Sequence, residues 1–401
     1  MVTDRQNSKL AKSAGIYLHI PFCIVKCPYC DFYSIESEKE DLDSREVFVN
    51  ALISEIKNGN LIETGISTIY FGGGTPSMLE GKQVDRILSC LRDNFDLTEV
   101  AEITLELNPG EIDLERLEHY KASGVNRLSM GAQSFQLEEL KTLGRIHQPE
   151  DVFIAAELIG KAGFDNFNID LMYGVPGQTL ESVAENVSSA VNLKPNHISV
   201  YSLTYEKGTP FYSMKLQGTL NPIDENLEQA MSARVLEILR DSGYSRYEIS
   251  NYSLEGFESE HNSSYWNGSP YYSFGPSAHS FDGNTRWWNI RDVSSYVDKI
   301  NSNESPIAGK ESLNKEQLIF ERIFLRLRTS SGLNIPSFET EFDLKFSEKF
   351  KEQLIEIDNM EKGGNDALYS YVDSYFRLTE KGLRYSDEIS ELFVPQGRMD
   401  S

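Results

Sequence analysis

Six short runs of apolar and β-branched residues recur through the first half of this 401-residue chain, at 16–20, 67–71, 102–107, 126–130, 166–172 and 197–203. Each is closed by a Gly, Pro or polar cluster. Between them lie stripes with helical spacing. Val49, Leu52, Ile53 and Ile56 fall at i, i+3, i+4 and i+7; Val84, Ile87, Leu88 and Leu91 repeat the pattern, and Val183, Val187, Ala190 and Val191 form a third face. Strands alternating with amphipathic helices indicate βαβ units, whose crossovers make neighbouring strands parallel. The class is therefore α/β. Six units suit either an open doubly wound sheet or a partial barrel, and periodicity does not choose between them.

The pattern changes after Leu203. Residues 225–240 predict one more helix, with Leu227, Met231, Val235 and Ile238 inward. Residues 244–295 are rich in Tyr, Trp, Ser, Asn and Gly with little regular period, and 301–310 reads as a polar linker. Phe320, Ile323, Phe324 and Leu327 form another helical stripe; 367–379 alternates like a hairpin and 379–389 suits a capped helix. A helix, a hairpin and a final helix predict a small α+β, winged-helix-like domain at 311–394.

Charge and cysteine usage narrow the function. With 38 Lys and Arg against 62 Asp and Glu, the net charge is −24. Nucleic-acid-binding domains are usually basic, so neither nucleic acid nor an anionic membrane surface suits this chain. No apolar run reaches the ~18 residues of a membrane span, and the polar residues 1–13 do not suit a secretory signal. Three of the four cysteines lie within eight positions, which argues for a metal site in a reducing cytoplasm and against a disulfide scaffold.

That cluster, Cys23-Ile-Val-Lys-Cys27-Pro-Tyr-Cys30, directly follows the first strand. Three thiolates on one loop can hold three corners of an iron–sulfur cluster, or three positions of a zinc site that wants four. Gly72-Gly73-Gly74-Thr75-Pro76 follows the second strand, where a ligand-approaching backbone and a plain strand-to-helix turn are both open readings. Glu106 ends the third strand between leucines, where a carboxylate is costly to bury unpaired. His261, Asn262, Tyr265 and Trp266 can form an axial imidazole with stacking aromatics or a purely structural loop. Cys90 reads as a small, partly buried residue and not a fourth ligand, and His19 and His147 read as structural or as supports behind the site.

The CxxxCxxC motif after a first strand resembles the signature of the radical S-adenosylmethionine (SAM) proteins. The segments Tyr17-Leu-His-Ile-Pro-Phe-Cys23, Gly72-Gly-Gly-Thr-Pro76, Asn168-Ile-Asp-Leu-Met-Tyr-Gly174 and Gly275-Pro-Ser-Ala-His279 are similar to its coproporphyrinogen-oxidase-like subfamily, over roughly residues 15–390. The resemblance implies a partial (β/α)6 barrel with a [4Fe-4S] cluster on Cys23, Cys27 and Cys30. It implies SAM beside Tyr17, Tyr29, Gly73, Gly74, Thr75 and Glu106. Gln133, Arg145, Asp170 and Thr204 match positions around a second SAM, and His279 falls beside the first. The decarboxylating branch, oxygen-independent coproporphyrinogen III dehydrogenase, carries a fourth cysteine where this chain has Phe32. His261-Asn-Ser-Ser-Tyr265-Trp266 matches instead the HNxxYW motif of the heme-chaperone branch.

The resemblance thus implies a cytoplasmic heme chaperone, with heme at His261, that delivers heme to a respiratory membrane protein. It would reach the membrane only peripherally, through that partner, and could act as a homodimer. Two alternatives stand beside it: the decarboxylase, and a metal-stabilised interaction protein without SAM chemistry. The expected divisions are a tail at 1–14, the barrel with its cluster loop at 15–215, a barrel extension carrying the aromatic motif at 216–310, the C-terminal domain at 311–394, and a tail at 395–401.

Overall fold

A computed structural model describes residues 13–38, 41–59, 65–360 and 367–395; the two expected tails fall almost wholly outside these. The six expected strands form, as β1 (Ala14–Ile20), β2 (Ile66–Gly73), β3 (Leu97–Leu107), β4 (Arg127–Gln133), β5 (Phe167–Tyr173) and β6 (His197–Ser202). They pair in parallel in chain order. Ile16, Leu18 and Ile20 of β1 are fully buried, as are Ile69 and Phe71 of β2. Such nearly continuous burial is expected of parallel strands covered on both faces.

The connecting helices bury the stripes their sequences predict. In α1 (Leu42–Asn58) these are Val49, Leu52 and Ile56; in α2 (Gly81–Asn94) they are Val84, Ile87, Leu88 and Leu91. Four further helices complete the crossovers or flank them: α3 (Leu114–Ser123), α4 (Leu137–Leu143), α5 (Pro149–Lys161) and α6 (Leu180–Asn192). Beyond α7 (Pro210–Leu216), α8 (Glu225–Asp241) packs on α6 and buries Met231, Val235 and Leu239, so its inward face is rotated one residue from Ile238.

The segment expected to be irregular instead extends the sheet. β7 (Ser245–Arg246) and β8 (Asn251–Ser253) add antiparallel to β6. At the other edge β9 (Tyr271–Phe274) pairs in parallel with β1, and β10 (His279–Phe281), β11 (Thr285–Asn289) and β12 (Ile307–Ser312) follow antiparallel. Between them lie α9 (Glu260–Trp266) and α10 (Val293–Asn301). The polar stretch read as a linker at 301–310 does connect a helix to a strand, but its last four residues, 307–310, already belong to β12. It alternates weakly because it is an edge strand, exposed at most positions. The 12-stranded sheet runs β12-β11-β10-β9-β1-β2-β3-β4-β5-β6-β8-β7 and leaves both edges unjoined, so the barrel is partial.

A second core belongs to the C-terminal segment. Phe338, Phe342, Phe346, Phe350, Phe376 and Phe393 pack together with Ile319 and Ile323 of α11 (Lys315–Arg326). Here β13 (Leu333–Asn334), β14 (Tyr369–Val372) and β15 (Tyr375–Leu378) form a small sheet. The hairpin turns on Asp373 and Ser374, both at positive φ, as a two-residue turn matched to strand twist requires. The single helix expected at 379–389 is two, at Glu380–Leu383 and Ser386–Glu391. Arg246–Glu380 and Arg286–Glu321 ion pairs tie this unit to the barrel.

Candidate functional site

The cysteine loop is gripped at its base. Phe22–Cys23 and Ile35–Glu36 form a short parallel ladder, and the loop between them lies at the C-terminal end of β1. That is the end at which βα barrels assemble their chemistry. The loop packs sideways as well: Phe211 donates its N–H to the Pro28 carbonyl, and Tyr29 joins a small core of Leu143, Met172, Val175, Leu203 and Phe211. All three thiols are free. Thr75 directs its hydroxyl at Cys23 Sγ (3.6 Å), and Arg145 its guanidinium at Cys27 Sγ (3.8 Å). Burial raises the Cys23 thiol and pushes Cys30 up to about 11.

Beneath the loop a cavity of about 1060 Å³ fills the lumen. It brings together ten of the predicted residues: Tyr29, Cys30, Gly73, Gly74, Thr75, Glu106, Gln133, Arg145, Asp170 and Thr204. Backbone geometry explains the glycines. Gly73 sits at φ +111°, where a side chain would strike the His19 ring, and a Cβ on Gly74 would stand 2.5 Å from the Phe22 carbonyl oxygen. Gln133 adopts φ 67° beside a register shift in β4, the kind of irregularity that re-aims a side chain. Arg145 is fixed by Asn108 Oδ1 (2.5 Å) and the Gly131 carbonyl (2.6 Å), yet its Nε has no partner.

Two of the carboxyls that line the lumen, Glu106 and Asp170, are half-buried and desolvated. Glu106 accepts from the Tyr70 hydroxyl (2.8 Å) and from the Gly73 amide. Desolvation dominates, and with nearby Asp170 it raises Glu106 to about 7. Asp170, also raised by burial, accepts from Ser129 (3.1 Å) and Asn168 (2.7 Å). A cation placed beside these groups would restore the charge that burial disfavours.

Three predicted positions lie outside this lining, besides Cys23 and Cys27 at its roof. Tyr17 is enclosed beside Tyr70 and donates or accepts at His19 Nδ1 (3.1 Å). His279 lies at the start of β10, exposed to solvent, and does not reach the lumen. His261 is only 1% exposed. Its Nδ1 meets Thr68 Oγ1 and its Nε2 meets the Tyr265 hydroxyl, both at 2.8 Å, and its ring stacks on Tyr70. The imidazole thus offers no free nitrogen in this conformation, and burial depresses its pKa to about 3. His19, His147 and Cys90 are buried, and His147 bonds the Ala132 carbonyl.

Sequence reasoning missed several lining residues. Asn108 bridges Thr75 and Arg145, and its place just beyond β3 was a usable signal. Tyr70, Arg127, Tyr201 and Arg246 also line the lumen. Arg127 stands at the opposite, N-terminal end of its strand, where nothing local marks it.

The donor set suits a cluster better than a single ion. Among the described residues no three His, Cys, Asp or Glu groups converge as one metal ion requires. Three thiols spread along one loop over a ligand-sized cavity, with the Arg145 cation beside Cys27, fit an anionic iron–sulfur cluster that spans them.

Comparison with known proteins gives the family. Residues 17–190 match the Radical SAM superfamily and residues 313–385 the HemN C-terminal domain. The heme chaperone HemW of Lactococcus lactis is 36% identical over 385 residues, covering 96% of this chain and 98% of that protein. The chain belongs to the HemW family. The HemW of Bacillus subtilis is 35% identical, with 96% of each chain covered. Among solved structures, coproporphyrinogen III oxidase (HemN) from Escherichia coli, described as a radical SAM enzyme, superposes with a TM-score of 0.82 at 25% identity, covering 98% of this HemW-family chain and 94% of that one. The α/β class, the partial barrel and the C-terminal domain follow from both the coordinates and this kinship. No helix among the described residues is long and apolar enough to cross a membrane.

Proposed function

We propose that this chain is a heme chaperone that carries a [4Fe-4S] cluster on Cys23, Cys27 and Cys30, binds SAM in the lumen below, and passes heme to a respiratory membrane protein. The observation that carries the cofactor part is the convergence of ten expected residues on one cavity roofed by the cysteine loop. Family membership supports the heme part. A reduced cluster would supply an electron to the sulfonium of bound SAM. The chain's own work is positioning. The bare backbone at Gly73 and Gly74 admits close approach, Glu106 and Asp170 favour a cationic ligand, and Arg145 and Thr75 steady the thiolate side. Gln133, Thr204 and Tyr29 close the cavity walls, leaving space that one or two SAM molecules could fill. The −24 charge favours a protein acceptor over anionic lipid, and the setting proposed is the cytoplasm, with the membrane reached through that acceptor.

The test is anaerobic reconstitution followed by iron and sulfide analysis, SAM titration by calorimetry, and transfer of heme from the loaded protein to an apo-acceptor. About four irons and saturable SAM and heme binding are expected of a [4Fe-4S] protein; zinc in place of iron would sink the cluster reading. The likeness to coproporphyrinogen III oxidase favours a second reading, the decarboxylase. Phe32, 66% exposed at the cavity rim where that branch has a cysteine, weighs against it. Protoporphyrinogen formed anaerobically from coproporphyrinogen, SAM and reductant would reverse the preference.

A further inference from the structure

Among the described residues, four arginines line the lumen, and the partners of each can be traced. Arg145 is bonded to Asn108 and the Gly131 carbonyl beside Cys27. Arg246 pairs with Glu380 (2.5 Å), and Arg384 is exposed to solvent. Arg127 differs from all three. It is 2% exposed, its Nε is shut in without an acceptor, and its guanidinium makes no hydrogen bond to any described residue. A buried guanidinium normally has its donors filled, because an unmet charge is costly to desolvate.

Glu102 does not fill them. Its carboxylate lies 3.9 Å from Arg127 Nε, beyond hydrogen-bond reach. Its oxygens are spent on α9, accepting from the Ser259 hydroxyl (3.3 Å) and from the amides of Glu260 and His261 (3.0 Å each). Glu102 thus supplies a counter-charge to the guanidinium but no acceptor. Strand geometry shows where the donors face. Side chains alternate along a strand, and on β4 the alternate residues Arg127, Ser129, Gly131 and Gln133 all line the lumen. Arg127 is the lowest, six residues below Gln133, or roughly 20 Å of strand at the usual rise. At the next inward position Ser129 donates to Asp170 (3.1 Å), so that carboxylate is engaged above the guanidinium.

We propose that Arg127 is an anion seat on the floor of the lumen, taking a carboxylate of the ligand bound there on both arms of its guanidinium. The fork of an arginine matches a carboxylate bidentately. A carboxylate also brings the least charge that fills the fork, whereas a phosphate dianion would stand against Glu102 beside it and the lumen carboxyls above. The inference rests on the reading that SAM and heme are ligands of this chain, and both carry the group: SAM has one carboxylate and heme two propionates.

The experiment titrates the reconstituted full chain, Arg127→Gln and Arg127→Lys with three probes: SAM by calorimetry, and hemin and hemin dimethyl ester by absorbance. Arg127→Gln is expected to weaken one acid-bearing probe by about tenfold or more, as loss of charge-assisted hydrogen bonds does. Arg127→Lys should recover part of this through charge alone. A loss for SAM assigns the seat to its amino-acid carboxylate; a loss for hemin but not for its ester assigns it to a propionate. Acetate at constant ionic strength should compete with that probe in the parent and not in Arg127→Gln. Should Arg127→Gln fail to fold by circular dichroism, the acetate competition in the parent and the Arg127→Lys affinities carry the test. Unchanged affinities without acetate competition, or equal losses for hemin and its ester with SAM unchanged, would overturn the seat. Arg127 would then be a structural partner of Glu102, and the chaperone reading would stand. A parent that binds neither SAM nor hemin would remove that reading and the seat with it.

Discussion

The cysteines show how far single residues can be read. Their spacing is local, so the proposed ligand set was visible in the sequence without knowledge of the fold, and the structure adds that Cys27, though buried, belongs neither to the barrel core on which Ile24 packs nor to the satellite core that Tyr29 joins. Cys27→Ala should therefore abolish the cluster, read as loss of iron and sulfide, while thermal melting stays near that of the metal-free parent; unchanged iron would contradict the assignment. His261 is the opposite case. Its motif was visible but its environment was not, because Thr68 and Tyr70 approach it from a strand nearly 200 residues away. Removing a buried side chain that satisfies two hydroxyls leaves a cavity and unpaired groups. His261→Ala should cost roughly 2–5 kcal/mol in denaturant unfolding.

At the level of elements, the six strands and their helices were legible because apolar period is a local signal of burial. The helix at 260–266 was not, because much of what starts it is remote. Ser259 caps it locally, but the Glu102 carboxylate of β3 also accepts from the amides of Glu260 and His261, each at 3.0 Å. Arg127 stands 3.9 Å from the same carboxylate. A carboxylate at a helix start meets both the unsatisfied amides and the positive end of the helix dipole. Glu102→Gln keeps the shape and removes the charge. It should lower stability by about 1–3 kcal/mol and raise amide hydrogen exchange at 260–264 more than elsewhere; uniform exchange would argue against a specific cap. Likewise β12 looked like a linker because an edge strand shows no burial period, and only its pairing to β11 reveals it.

For the whole molecule, two sets of buried ionisable groups pull stability in opposite directions with pH. Burial lowers His19 and His147 to about 4 and His261 to about 3. These rings stay neutral in the fold while the unfolded chain takes up protons, so their contribution is lost as pH falls below 6.5. Burial raises Glu55, Glu106 and Glu248 to about 7. Here the unfolded chain ionises first, so stability falls as pH rises from about 4.5 to 7 and then levels. The two trends largely offset between these limits, which hides either in the parent protein, and a variant separates them. Glu55 and Glu248 are structural. Glu55 accepts from Gly275 N, Asn289 and Tyr296 and so ties α1 to the loop before β10. Glu106 alone of the three faces the lumen, so its burial is a cost the fold carries for a ligand. Glu106→Gln should then match the parent near pH 4.5 and exceed it by about 2–3 kcal/mol above pH 7, while binding SAM more weakly. SAM binding to the parent near pH 7 should release protons, seen as a buffer-dependent calorimetric heat that the variant lacks. A variant less stable than the parent at pH 8, with unchanged SAM affinity, would mean that Glu106 is a structural carboxylate and that the lumen recognises its ligand by other groups.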